Sequence, residues 1–115
     1  MENELASIGW EDFSKVEMRV GTVTRAEVFE EVYRPAYKLW IDFGPLGVKK
    51  TSAQITIRYP DPGALIGKQV IAVVNFPKKQ IATLQSECLV LGAIDQKEVT
   101  LLTTDRQVDN GLRIG

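Results

Sequence analysis

An all-β fold, a small closed barrel of five or six short strands, is what this sequence predicts, and three observations carry it. The apolar stretches are short and rich in β-branched residues, nearly every one is bounded by Gly, Pro or Asp, and apolar stripes of helical period are scarce. With 115 residues, 44% of them apolar, residues 1–115 are sized for a single domain. A chain of that length buries roughly two-thirds of its unfolded surface, enough for one modest core without staples.

Val16, Met18 and Val20 alternate with Glu17 and Arg19, the pattern of a half-buried strand that continues past Gly21 and Val23 to Val28. Gly21 inside so long a run predicts a bulge or sharp bend, the device by which one strand serves two sides of a barrel. Tyr37 to Phe43 puts Leu39, Ile41 and Phe43 on one face, and Gly44-Pro45-Leu46-Gly47 turns the chain into a hairpin with Val48 to Ile57. Tyr37 and Trp40 differ in parity, so they face opposite ways; core packing is the fate expected of Trp40. Two prolines forbid a strand over Arg58-Tyr59-Pro60-Asp61-Pro62-Gly63, and Ala64-Leu65-Ile66 follows as one helical turn. Gln69 to Phe76 is nearly continuous apolar sequence, suited to a central strand buried on both faces and stopped by Pro77. Cys88 to Ile94 and Val99 to Thr103 flank the polar turn Asp95-Gln96-Lys97-Glu98, and Asp109-Asn110-Gly111 turns the chain before Leu112 to Gly115. This strand count with one interrupting turn favours a five-stranded oligonucleotide-binding (OB) barrel, with an immunoglobulin-like sandwich as the alternative.

Composition excludes much chemistry. There is no histidine, so Ser-His-Asp, Cys-His and His-zinc sites cannot be built from this chain, and no cofactor or metal is expected. The single cysteine, Cys88, precedes Leu89-Val90-Leu91 and has no base to activate it; it reads as a small buried hydrophobe rather than a nucleophile. Glu11-Asp12 and Glu30-Glu31 are neighbours in sequence that converge on nothing, which gives acid–base catalysis no support. No apolar run approaches 18 residues and no leader precedes the first strand, so neither membrane insertion nor export is expected, and the cytoplasm is the default.

The formal net charge of −1 conceals a pattern. Residues 1–33 carry three basic against eight acidic side chains, residues 34–79 eight against two, and residues 80–115 three against five. The middle block supplies the candidate phosphate contacts Lys38, Lys49, Lys50, Arg58, Lys78 and Lys79. Adjacent lysines after Pro77 also suit an ordinary solvated loop; a barrel that gathers several of these cations on one face favours binding. Ser52 and Gln54 in Thr51-Ser52-Ala53-Gln54, and Ser86 in Gln85-Ser86-Glu87-Cys88, are polar breaks that either bond RNA or cap turns. Tyr33, Tyr37, Trp40 and Tyr59 are the aromatics available for stacking.

Asp12-Phe13-Ser14-Lys15-Val16-Glu17-Met18-Arg19-Val20-Gly21-Thr22-Val23, Ala36-Tyr37-Lys38-Leu39, Ser52-Ala53-Gln54-Ile55-Thr56, Val74-Asn75-Phe76-Pro77 and Ser86-Glu87-Cys88-Leu89 occur in that order. The series resembles the tRNA-binding domain family, which includes appended C-terminal domains of some methionyl-tRNA synthetases and free-standing dimeric proteins. The likeness covers roughly residues 12–115. It implies an OB barrel, a homodimer built with the N- and C-terminal extensions, and tRNA binding without catalysis. One free-standing branch is described as export chaperones, which implies precursor proteins and the export motor ATPase as further partners. By this resemblance Lys38 matches the lysine of an Ala-x-Lys-Leu segment, Ser86 the serine of a Ser-Glu-Gly-Met segment, and Lys78 and Lys79 a basic loop after proline. Asn75 joins the candidates in the same way. Cys88-Leu89 and Ser52-Ala53-Gln54 depart from the Gly-Met and Ser-Gly-Ile of synthetase-linked domains. The acidic first 33 residues are expected away from the phosphates, at the dimer contact.

Overall fold

The computed structural model describes residues 5–115; Glu2 and Glu4 of the acidic block lie outside them. A short helix, α1 (Trp10–Ser14), precedes nine strands: β1 (Met18–Val28), β2 (Tyr37–Asp42), β3 (Val48–Ala53), β4 (Gln69–Val73), β5 (Lys79–Ile81), β6 (Leu84–Ser86), β7 (Leu89–Val90), β8 (Gly92–Asp95) and β9 (Glu98–Leu101). Five form an antiparallel sheet in the order β3-β2-β1-β4-β7, while β5-β6 and β8-β9 are separate hairpins. The Thr51 hydroxyl of β3 donates to the Cys88 carbonyl beside β7 at 2.7 Å, drawing the two outer strands together into a nearly closed barrel. This is the expected OB architecture.

Parity sorts β2 cleanly. Tyr37, Leu39 and Ile41 point into the barrel, with Leu39 and Ile41 wholly buried, and Lys38, Trp40 and Asp42 point out. They join Val23, Phe43, Ile55, Leu65, Val70 and Ala72 in the main core. All five residues of β4 are buried, as a central strand requires. Gln69, at its start, keeps its amide satisfied by donating to the Val108 carbonyl at 2.7 Å and accepting from the Val108 N–H at 3.1 Å. A second, small core of Phe29, Ala36 and Leu84 seats the β1–β2 loop on the β5–β6 hairpin.

Several expectations are corrected. Trp40 is outside the barrel, its ring covered by the Arg25 guanidinium 4.3 Å from the centroid. Gly21 is not the bulge; the register of β1 against β2 slips between Val23 and Arg25. A Cβ at Gly21 would stand 2.5 Å from the Ile41 side chain and 2.8 Å from the Phe43 ring, so glycine is there to let the core approach the backbone. Val16 lies in the turn that ends α1, donating to the Phe13 carbonyl. β3 stops at Ala53 and β4 at Val73 instead of Ile57 and Phe76. The helical turn forms over Pro62–Leu65, where Asp61 accepts from the Gly63 N–H and caps it, rather than over 64–66. Cys88 to Ile94 is divided at Leu91, and β9 ends at Leu101 instead of Thr103. Lys79 and Ser86 are not in loops but face each other across the β5–β6 hairpin.

The C-terminal stretch closes the molecule. Gly111 donates to the Val20 carbonyl, Val20 to Leu112 and Ile114 to Met18, along the part of β1 that β2 does not reach. Gly111 is required there: its φ is +92°, and a Cβ would meet the Phe43 carbonyl oxygen at 2.6 Å.

Candidate nucleic-acid interface

The outer face of the sheet is built by register. Arg25 of β1 stands opposite Trp40 of β2, which stands opposite Lys50 of β3. The result is a cation–aromatic–cation row across three strands. One rung along, Glu27, Lys38 and Ser52 form a second row. Arg25 was hidden in the acidic N-terminal block, and only the pairing of β1 with β2 reveals it; the parity of Arg25 and Glu27 around Ala26 was the available signal.

The β5–β6 hairpin extends this face past β3. Glu87 makes the join: its N–H donates to the Lys50 carbonyl at 2.8 Å, and its carboxylate accepts from the Lys50 N–H at 3.0 Å. The second carboxylate oxygen lies 3.6 Å from the Lys78 ammonium, bringing that lysine to the edge of the row. Ser86 is half-buried, its hydroxyl 3.0 Å from that of Thr51 and donating to the Cys88 carbonyl at 3.3 Å. Lys38, Lys50, Ser52, Lys78, Lys79 and Ser86 thus belong to one region of the molecule.

The remaining candidates lie elsewhere. Lys49, opposite Ile41, has the parity of the interior and does not share the outer face. Arg58 turns to the last hairpin, donating to the Thr100 hydroxyl at 3.2 Å with Glu98 at 3.4 Å. Gln54 is exposed beyond the end of β3. Asn75 is committed to the chain start, donating to the Lys15 carbonyl at 2.6 Å and accepting from the Glu17 N–H at 3.0 Å.

Acidic residues are not all remote from these cations. Glu31 lies 3.5 Å from the Lys38 ammonium. The Thr83 hydroxyl, donating to Glu31 at 2.9 Å, holds that carboxyl below its usual range, and Lys38 acts in the same direction. A polyanion approaching Lys38 therefore meets a loop already tied to the hairpin.

Cys88 is buried, and desolvation pushes its thiol up to about 12, against a smaller opposing effect of the Lys49 charge. Two results are expected. Alkylation near pH 8 is at least about a hundredfold slower in the folded chain than in the unfolded one, because little thiolate exists in the folded state. Between pH ~9 and pH ~12 this group lowers stability as pH rises, since the unfolded chain has given up a proton that the folded chain retains. Denaturant titration of native protein and of Cys88→Ala across that range checks the sign; a slope unchanged by the substitution would remove the thiol as its source.

No helix among the described residues is long and apolar enough to cross a membrane. The same residues bring no three His, Cys, Asp or Glu side chains together to hold a metal ion.

Residues 18–113 match the family described as "Putative tRNA binding domain". The chain superposes on the crystal structure of chaperone CsaA from Bacillus anthracis with a TM-score of 0.91 at 50% identity, covering 96% of this chain and all of that one. A CsaA chaperone protein from Picrophilus torridus gives 0.87 at 48%, over 95% of this chain and 100% of that chain. Among curated relatives, methionine–tRNA ligase of Nanoarchaeum equitans is 34% identical over 98% of this chain, which spans only 14% of that enzyme. The chain belongs to the tRNA-binding domain family, in its OB-barrel form.

Proposed function

We propose that this chain is a non-catalytic, homodimeric tRNA-binding protein that holds folded tRNA by shape and phosphate charge. The observation that carries the reading is the row Arg25–Trp40–Lys50, continued by Lys38 on one side and by the Lys78–Lys79 hairpin on the other. Cations gathered on one face suit a phosphate backbone, and the Ser52 hydroxyl lies among them for a ribose contact. Gln54 and Arg58 stand at the periphery and contact the flanks of a bound RNA, whereas Lys49, opposite Ile41, and Asn75, bonded to Lys15 and Glu17, take structural roles. Such an activity belongs in the cytoplasm, where tRNA is found.

A second copy answers a physical need. One barrel offers a handful of exposed cations, which at physiological salt give weak binding; a two-fold pair doubles the surface presented to one RNA. The surface that suits self-association is at the chain start, where Leu5, Ile8 and Trp10 are exposed, Trp10 to 80%. Trp10 also lines, with Phe13 and Arg113, a hollow where the first and last segments meet. Sedimentation velocity is expected to show a dimer that takes up one tRNA, and Trp10→Asp to shift it to monomer with weaker tRNA binding. A native monomer binding tRNA one to one, unaffected by Trp10→Asp, would sink the dimer.

The second reading is an export chaperone that binds unfolded precursors and the export ATPase. It is favoured by the likeness, over 96% and 95% of this chain, to two solved proteins whose names call them chaperones. Suppression of aggregation of an unfolded client in the presence of excess tRNA supports it; no suppression at any ratio removes it.

A further inference from the structure

A groove of about 540 Å³ opens beyond the end of the β2–β3 ladder, between the β1–β2 loop, the stretch after β3, and the turn joining β8 to β9. That volume is in the range of sites for small organic ligands. Tyr33, Arg34, Gln54, Ile57, Lys97 and Val99 line it, and its lining includes no carboxylate. We propose that this groove binds one unpaired ribonucleotide of an RNA, its base stacked on Tyr33 and its phosphate held between Arg34 and Lys97. The proposal rests on the RNA-binding reading above and adds to it a second, chemically different site.

Three features support this occupant. The Tyr33 side chain is fully exposed, a stacking surface with no hydrogen-bond partner among the described residues. Arg34 and Lys97 have no carboxylate at salt-bridge distance among the described residues, and Glu98, the acidic neighbour of Lys97, is turned to Arg58. Ile57 and Val99 give the groove an apolar floor, and the Gln54 amide supplies a donor and an acceptor for a base edge. A charged peptide would match the two cations but would leave Tyr33 and the apolar floor without a flat ring to pack on.

Gln54 connects the groove to the lysine-bearing face. It follows Ser52 by two positions along the chain, and Ser52 is paired with Lys38. An RNA whose duplex lies on that face has its single-stranded end or loop within reach of the groove.

The test compares a blunt RNA hairpin with the same hairpin carrying a short single-stranded tail, each titrated into the full chain. The tail is expected to tighten binding about fivefold or more, the worth of one stacked base, and Tyr33→Ala to abolish that gain while leaving the blunt hairpin unaffected. Lys97→Ala should lower the salt slope by about one for the tailed RNA only. A gain that survives both substitutions, or no gain from the tail while the blunt hairpin binds, overturns the proposal without touching the lysine face. An acidic peptide that binds in a Tyr33-dependent way while the tail contributes nothing also overturns it. Loss of blunt-hairpin binding in Lys78→Ala/Lys79→Ala reports on the lysine face alone, so the two failures are distinguishable.

Discussion

Replacing Lys78 and Lys79 together by alanine is expected to weaken tRNA binding about tenfold or more near physiological salt and to reduce the slope of log K against log salt by roughly 1.4 to 1.8. Both lysines sit at or beside the β5–β6 hairpin, with Lys79 at its first position opposite Ser86. Lys78 is 60% exposed and 3.6 Å from Glu87. An exposed pair of that kind is worth at most about 1 kcal/mol, so it does not prevent the ammonium from turning to a phosphate. Each released counterion carries a slope of about 0.7 to 0.9, which sets the expected change. Arg106→Ala is the control, because that side chain is 89% exposed, pairs with its neighbour Asp105, and lies on the C-terminal loop. Titrations between about 50 and 200 mM salt decide the matter: an unchanged slope would mean that the hairpin does not touch phosphate.

Phe43→Ala is expected to cost about 3–5 kcal/mol, the largest single effect on stability. The ring is wholly buried, packs against the face of Gly21, and follows β2 at the point where the chain turns into β3. Its backbone is tied in as well, the N–H donating to the Gly47 carbonyl at 2.9 Å. Against a typical total of about 5–15 kcal/mol, such a loss leaves the domain marginal. The complementary change, Gly21→Val, forces atoms into the space the ring occupies and is expected to cost about 1–3 kcal/mol. Urea unfolding should show a lower midpoint with an unchanged m-value for both. A loss under about 1 kcal/mol for Phe43→Ala would mean that the space closes over without it.

How far the sequence reveals this molecule depends on the range of the interaction. Strands β1 to β4 were legible because alternation and prolines are local signals, and the parity of Tyr37 against Trp40 was settled by spacing alone. Which of the two faced inward was not, since Arg25 covers Trp40 only through a register that depends on the slip after Val23. The β5–β6 hairpin was missed for a physical reason. Its strands have three residues each, and its turn passes through Ala82 with φ +49°, where no glycine or asparagine announces it. The placement of Lys50 beside Lys78 needs Glu87, 37 positions from Lys50, and the burial of Gln69 needs Val108, 39 positions away. Contacts at such separations leave no local pattern. Charge by block found the lysines of the outer face but put Glu31 on the wrong side, because a block average ignores the loop that brings Glu31 to Lys38.

The stretch that runs beside β1 has a further consequence. Its three backbone hydrogen bonds, from Gly111 to Val20, Val20 to Leu112 and Ile114 to Met18, cover a piece of strand edge that would otherwise template pairing with another chain. Such bonds are indifferent to which polypeptide supplies the partner. Were the stretch to lift away, two molecules in concentrated solution could each lend it to the other, so the element that covers this edge is also the one through which copies would exchange.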